Sequence, residues 1–270
     1  MTDKAVILAR GLGTRMRKQD GDAGLSEEQA AVAETGVKAL VPIDRPFLDY
    51  VLHALAESGY RRTCLVIGPE HDDLRSYYGR QLQYTRLEVS FAVQEEPLGT
   101  ANAVAAAEEF AAGDGFLMIN SDNYYPVEAM GGLRQLDGPG LAAFERHSML
   151  AKSNIPAERI TRFAVVEVDD GGHLRRVVEK PSPEFIAGLP EPVGVSMNCW
   201  RFDAGIFTAC AAIEPSERGE LEITDAVQYA VDEMGQDFTV LPYRAAVLDL
   251  TSRADVGTVA ERLAGTPVVL

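Results

Sequence analysis

The sequence predicts an α/β fold: a mostly parallel central sheet with helices on both faces and a β-rich addition in the second half. Three observations carry this. Short apolar runs at 4–9, 62–67 and 116–119 suit strands covered on both faces. Stretches of helical spacing lie between them, and the order β-α-β-α-β-α-β feeds a parallel sheet. Beyond residue 160 the pattern turns to strands joined by a tight turn.

Residues 4–9 form the first strand, broken by Gly11 and Gly13. Ser26-Glu27-Glu28-Gln29 has capping-box spacing, and the Ala-rich helix behind it ends near Gly36. Pro46 opens a helix over 47–57, stopped by Gly59. A strand at 62–67, a short helix at 71–78 and a strand at 87–93 follow. An Ala-rich helix spans 100–112 between two glycines, and the strand at 116–119 carries Asn120-Ser121-Asp122-Asn123 at its carboxyl end. Residues 163–168 and 173–179 flank Asp169-Asp170-Gly171-Gly172 and read as a hairpin. Strands at 193–202, 238–241 and 245–248 and helices at 221–234 and 252–263 complete the chain. The loosest segment is the proline-containing stretch 179–192. There is no internal repeat. The expectation is one domain over 1–270, with about 1–150 as the nucleotide-binding part, about 151–250 as the sugar-phosphate part and 251–270 as a closing helix. A true second domain is the alternative.

Composition narrows the function. The 270 residues carry 25 Lys and Arg against 41 Asp and Glu, a formal net charge of −16. That excess argues against nucleic acids and anionic membranes, which reward positive charge. It leaves room for a phosphorylated small molecule held by a few placed cations. No apolar run approaches the ~20 residues of a membrane span, and the start has no secretory h-region. The three cysteines, Cys64, Cys199 and Cys210, lie in apolar stretches without CxxC spacing and read as reduced core residues of a cytoplasmic protein. The four histidines show no zinc-ligand spacing.

The first polar site follows the first strand. In Ala9-Arg10-Gly11-Leu12-Gly13-Thr14-Arg15, the glycines permit positive φ and close approach to a ligand. Successive amides in such a bend cup an anion, and Arg15 adds a fork of donors for phosphate oxygens. A polyphosphate is the expected ligand. The GxxxxGK[ST] loop is absent, and Met16 occupies the third small position of a dinucleotide fingerprint.

The string 8–17, with Lys38 and Pro42 downstream, is similar to the signature of sugar-1-phosphate nucleotidyltransferases, the NDP-sugar pyrophosphorylases. Further pieces match in order. Residues 94–103 resemble the family's base-recognition segment, and Asn120–Asn123 its metal-binding Asp turn. Val178-Glu179-Lys180-Pro181 resembles its sugar-phosphate motif and 220–225 its late helix start. Val247-Leu248-Asp249 with Thr251 resembles its second metal Asp. The resemblance spans almost the whole chain. It implies a Rossmann-like three-layer α/β/α nucleotidyltransferase fold with a β-rich sugar-binding lobe. The implied reaction condenses a nucleoside triphosphate with a sugar 1-phosphate, giving an NDP-sugar and pyrophosphate, with Mg²⁺ as cofactor. The oligomeric state is left open.

The roles that the resemblance implies follow residue by residue. Arg15 holds the leaving phosphates and Lys38 neutralises charge near the α-phosphate. Leu8, Ala9, Gly11, Gly13, Thr14, Gln94, Gly99 and Thr100 bind the nucleotide. Glu179, Lys180 and Asn198 bind the sugar phosphate, and Asp122 and Asp249 bind the metal. Such chemistry suits these residue types: the nucleophile is already an anion, so positioning and charge neutralisation suffice. Mg²⁺ takes one or two carboxylates and fills the rest with phosphate and water.

Three departures stand out. Arg10 occupies a position that is commonly Gly or Ala, which puts an extra cation beside the triphosphate bend. The 18–36 stretch is long, and its capped helix is a candidate lid over the nucleotide. Ser196-Met197-Asn198-Cys199-Trp200 replaces a small Gly-containing turn, leaving sugar and base open. Two other functions remain. A glycosyltransferase would use a DxD turn, but this turn carries one carboxylate. A non-catalytic nucleotide-sensing relative would lack phosphate or metal ligands that are present here.

Overall fold

The computed structural model describes residues 1–21 and 23–270. In chain order its strands are β1 (Lys4–Leu8), β2 (Arg62–Ile67), β3 (Glu88–Val93), β4 (Phe116–Asn120), β5 (Asn123–Tyr124), β6 (Gly140–Glu145), β7 (Val165–Val168), β8 (Leu174–Val178), β9 (Gly194–Phe202), β10 (Thr239–Tyr243) and β11 (Leu248–Asp249). The main sheet runs β10-β6-β9-β4-β1-β2-β3, with the β7–β8 hairpin joined through β9. All neighbours from β3 to β4 are parallel, as are β6 and β10, whereas β9 runs antiparallel between β4 and β6.

Strand alternation explains the layers. Ala5 and Ile7 of β1 point to one side of the sheet and Val6 to the other. On the first side lie the helices Phe47–Glu57, Val127–Gln135 and Arg253–Leu263. On the second lie Thr100–Ala105, Gly205–Ala212 and Ile223–Asp232. The result is the three-layer α/β/α arrangement that the alternating pattern predicts.

Several elements follow their local signals. The capping box at Ser26 and Gln29 forms, opening Glu27–Thr35, and Gly36 closes that helix with φ of 77°. The predicted hairpin is present, its turn held by Asp169 Oδ1 accepting from the amides of Gly171 and His173.

Others depart. The helix predicted over 100–112 is two short ones, Thr100–Ala105 and Glu108–Ala111, separated by Ala106 and Ala107. The strand predicted at 245–248 shrinks to Leu248–Asp249. β6 and the helix before it are absent from the sequence reading, because Gly140-Leu141-Ala142-Ala143-Phe144-Glu145 has no β-branched residue to signal a strand. The small residues have a packing reason: a Cβ on Gly194 of β9 would sit 3.2 Å from that of Ala143.

The order 3-2-1-4 reverses direction at β1, so the crevice at the carboxyl ends of β1 and β4 is where such sheets bind ligands.

Candidate active site

A cavity of about 460 Å³ opens at that switch point. Its wall includes Leu8, Ala9, Gly11, Gly13, Thr14, Arg15, Lys38, Gln94, Gly99, Thr100, Asp122 and Asp249, twelve of the fifteen residues expected from the sequence. Glu179, Lys180 and Asn198 are not on this wall. Phe163, just before β7, and Glu220 also line it.

The glycine bend is built by a backbone-to-backbone contact. Gly13 has φ of 60°, and a Cβ there would lie 2.1 Å from the carbonyl oxygen of Gly36. Gly36 in turn ends the helix Glu27–Thr35, and Arg17 grips that end by donating to Thr35 O at 3.0 and 2.8 Å. No residue of this helix lines the cavity, so it is a buttress behind the bend rather than a lid over the nucleotide. Gly11 differs from expectation. It is not at positive φ, and open space surrounds the position of a Cβ, so its smallness serves the cavity side alone. Among the described residues the amides of Gly11, Leu12 and Gly13 have no protein acceptor, and Arg15 has no protein partner.

Arg10 is not a free cation beside the bend. Its guanidinium pairs with Glu70 at 3.3 Å and donates to the carbonyl of Gln94, tying β1 to the ends of β2 and β3. Gln94 itself is 5% exposed, and its Nε2 donates to Gly99 O at 3.0 Å and Asn102 Oδ1 at 2.8 Å. That leaves its Oε1 for a ligand. Gly99 has φ of 123°, and a Cβ there would lie 2.4 Å from Leu221 O. The 98–101 and 221 backbones are zipped by Leu221 N to Leu98 O at 2.7 Å and Ala101 N to Leu221 O at 2.8 Å. Thr100 Oγ1 accepts from Ile223 N at 2.8 Å. Two motifs far apart in sequence therefore form one wall.

The two aspartates are brought together by β5 and β11. Asp249 pairs with Asn123, and the carbonyl of Asp122 accepts from Leu250 N at 2.8 Å. Asn154 completes the ladder with its side chain: Nδ2 donates to Asp249 O at 2.8 Å, and Oδ1 accepts from Asp249 N at 2.9 Å. Lys38 Nζ lies 2.8 Å from Asp122 Oδ2. Asp249 is 3% exposed; its carboxylate accepts from Asn123 and Thr251 and is ion-paired with Arg159 at 2.9 Å. Burial, then the like charge of Asp122, pushes Asp249 up to about 6, against the pull of Arg159, Thr251 and Lys38. Among the described residues there is no cluster of three or more His, Cys, Asp or Glu suited to a metal. Two hard carboxylates facing one polar cavity are nonetheless the donor set that Mg²⁺ shares with phosphate and water.

The sugar-side candidates sit on strained backbone. Lys180 and Asn198 are two of three non-glycine residues at positive φ among the described residues, with φ of 47° and 55°. Asn198 occupies the bulge where the β6–β9 register shifts, and it accepts from Trp200 Nε1 at 3.3 Å. Glu179 keeps solvent access, yet the surrounding protein, and then Glu222, push its carboxyl above the usual range. Tyr125, fully buried, links the Asp turn to β9 by donating to Met197 O at 2.7 Å.

Sequence reasoning missed Arg159, Asn154 and Tyr125. No motif marks them, because the contacts that place them in the site, Asp249 for Arg159 and Asn154 and Met197 for Tyr125, are distant in the chain. The three cysteines are buried and free, with burial pushing Cys64 up to about 11 and Cys210 to about 12, so none is a ready nucleophile.

Comparison with known proteins gives the family. The profile of the nucleotidyl transferase family matches residues 4–261. The chain belongs to that family. Glucose-1-phosphate thymidylyltransferase of Streptomyces griseus is 34% identical over 231 residues, covering 85% of this chain. The chain spans only 57% of that relative's length. A low-salt glycan biosynthesis nucleotidyltransferase, Agl11 of Haloferax volcanii, is 29% identical over 96% of this chain and 70% of its own. Among solved structures, a UDP-glucose pyrophosphorylase complexed with UDP-glucose superposes with a TM-score of 0.74 at 19% identity, covering 97% of this nucleotidyl transferase and 98% of that chain. That likeness is one of fold. No helix among the described residues is long and apolar enough to cross a membrane.

Proposed function

We propose that this nucleotidyl transferase condenses a nucleoside triphosphate with a sugar 1-phosphate, releasing pyrophosphate and an NDP-sugar, in the cytoplasm. One observation carries the reading: a single cavity joins the glycine bend, Lys38 and the two aspartates.

The unpaired amides of the bend and the free Arg15 are suited to the β- and γ-phosphates, and so to the leaving pyrophosphate. Lys38 would exchange Asp122 for the α-phosphate. Gln94 Oε1 and the backbone at Gly99 would face the base, with Leu8, Ala9 and Thr100 shaping that wall. Glu179, Lys180 and Asn198 would hold the sugar phosphate beyond Phe163 and Glu220. This divides the work between about 1–150 and about 151–250. Asp122 and Asp249 would hold Mg²⁺, which when bound neutralises charge developing around the α-phosphate. The phosphate oxygen of the sugar attacks the α-phosphorus in line, one P–O bond forming as the bond to pyrophosphate breaks. The attacking oxygen is anionic, so no side chain need remove a proton.

A grid of nucleoside triphosphates against sugar 1-phosphates, read by pyrophosphate release, tests the proposal. Pyrophosphate appearing only when both substrates and Mg²⁺ are present supports it. Sugar transfer from a ready-made NDP-sugar, without pyrophosphate release from any pair, would replace it with the glycosyltransferase alternative.

A further inference from the structure

We propose that Arg159 positions Asp249 and balances its charge. With Lys38 on Asp122, it sets a cation against each of the two cavity carboxylates until a triphosphate arrives. A divalent cation is then taken up together with the nucleotide rather than by the free protein. This rests on the nucleotidyltransferase reading above.

Arg159 lies on the short helix Ala157–Ile160, and its side chain is 16% exposed. Nη1 and Nη2 meet the two oxygens of Asp255 at 3.1 Å each, a bidentate fork. Nη2 also lies 2.9 Å from Asp249 Oδ2. Asp255 is fixed independently. It accepts from the amides of Thr251 and Ser252 at 3.1 and 2.7 Å and from Ser252 Oγ at 2.9 Å. It also stands in the first turn of Arg253–Leu263, where exposed amides favour an anion. Asp255 is therefore an anchor that aims Arg159 at Asp249.

The oxygens of Asp249 are well occupied. Oδ1 accepts from Asn123 Nδ2 at 3.1 Å, and Thr251 Oγ1 reaches both oxygens at 2.9 Å. Across the cavity wall, Lys38 lies 2.8 Å from Asp122. Each cavity carboxylate thus has a cation against it, with Arg159 shared between Asp249 and Asp255, and the repulsion of a divalent ion by the two cations weakens its attraction to the anions. The cations are not equivalent. Lys38 is a flexible point charge on the cavity wall, free to move to a phosphate, whereas Arg159 is clamped by Asp255. An entering triphosphate gives Lys38 a new partner and brings several negative charges of its own, which releases Asp122 and restores the pull on a cation. Arg159 stays behind and holds one oxygen of Asp249 in place.

The test is binding of Mn²⁺ to the nucleotide-free protein, read by the electron paramagnetic resonance of unbound Mn²⁺. Arg159→Gln is expected to bind Mn²⁺ ~10-fold or more tightly than wild type, since a nearby positive charge is gone. Arg159→Lys, which keeps the charge, is expected to stay near wild type. A purely structural role for Arg159 moves affinity the other way, because a loosened Asp249 binds metal less well. Unchanged or weakened Mn²⁺ binding by a folded Arg159→Gln overturns the proposal. Should thermal melting show that variant unfolded, Lys38→Gln asks the same question of the other pair, with tightening expected and its absence overturning the proposal. These measurements need no substrate. Wild-type pyrophosphate release without tightening refutes only the role of Arg159, whereas no release from any substrate pair refutes the function itself.

Discussion

At Gly13 one methyl group would collide with the carbonyl oxygen of Gly36, 2.1 Å away, on a backbone already at φ of 60°. Gly13→Ala is expected to cost about 2–4 kcal/mol from left-handed strain and overpacking. Gly11→Ala, two residues earlier, meets nothing within 4 Å. It is expected to leave the melting temperature unchanged and to raise the KM for the triphosphate. Thermal melts with steady-state kinetics separate the two, and equal loss of stability in both would contradict this account of the bend. Asp122→Asn is expected to lower kcat by ~100-fold or more, because a metal-facing charge is removed. Lys180→Ala is expected to raise the KM for the sugar 1-phosphate by ~10-fold or more while sparing that of the triphosphate. Unchanged constants in either variant would remove that residue from the site.

The smallest elements do the most for the Asp122–Asp249 pair. β5 and β11 have two residues each, and the side chain of Asn154 supplies the hydrogen bonds that another strand would give Asp249. Asn154→Ala is expected to raise the Mg²⁺ concentration needed for half-maximal activity by ~10-fold, as loss of supporting bonds around a ligand does. Titration of Mg²⁺ in the kinetic assay checks this. The elements also show what sequence can disclose. Loops whose residues act through their own backbone, such as Gly13 and Gly99, are legible because few residues tolerate those conformations. The capping box at Ser26 is legible because its partners are three residues apart. β6 is silent because its alanines are chosen by the neighbouring β9, and Arg159 and Asn154 are silent because their partners lie about 90 residues away or more. Five of the six motifs read in order contribute residues to the wall of the cavity, and the 178–181 motif does not. The motifs did not disclose that Arg10 is spent on Glu70 and Gln94, because that depends on where two other strands end.

For the whole molecule, the proposed metal role of Asp249 implies a link between protons and metal. Asp249 is pushed up to about 6 in the free protein. Below that pH it holds a proton that a metal must displace, so Mg²⁺ affinity falls roughly tenfold per pH unit, and above it the competition ends. The half-saturating Mg²⁺ concentration is therefore expected to rise as pH drops from 7 to 5, and chelation by EDTA to abolish turnover at any pH. A Mg²⁺ requirement that stays flat over this range would show that Asp249 is not a ligand.

The antiparallel course of β9 has a further consequence. It lies between β4 and β6, so β6 reaches the rest of the sheet only through a strand that comes some fifty residues later in the chain. A fragment cut at residue 150 would strand β6 without a neighbour and expose the flank of β4. The two halves should therefore melt in a single cooperative transition, and neither should survive expression on its own.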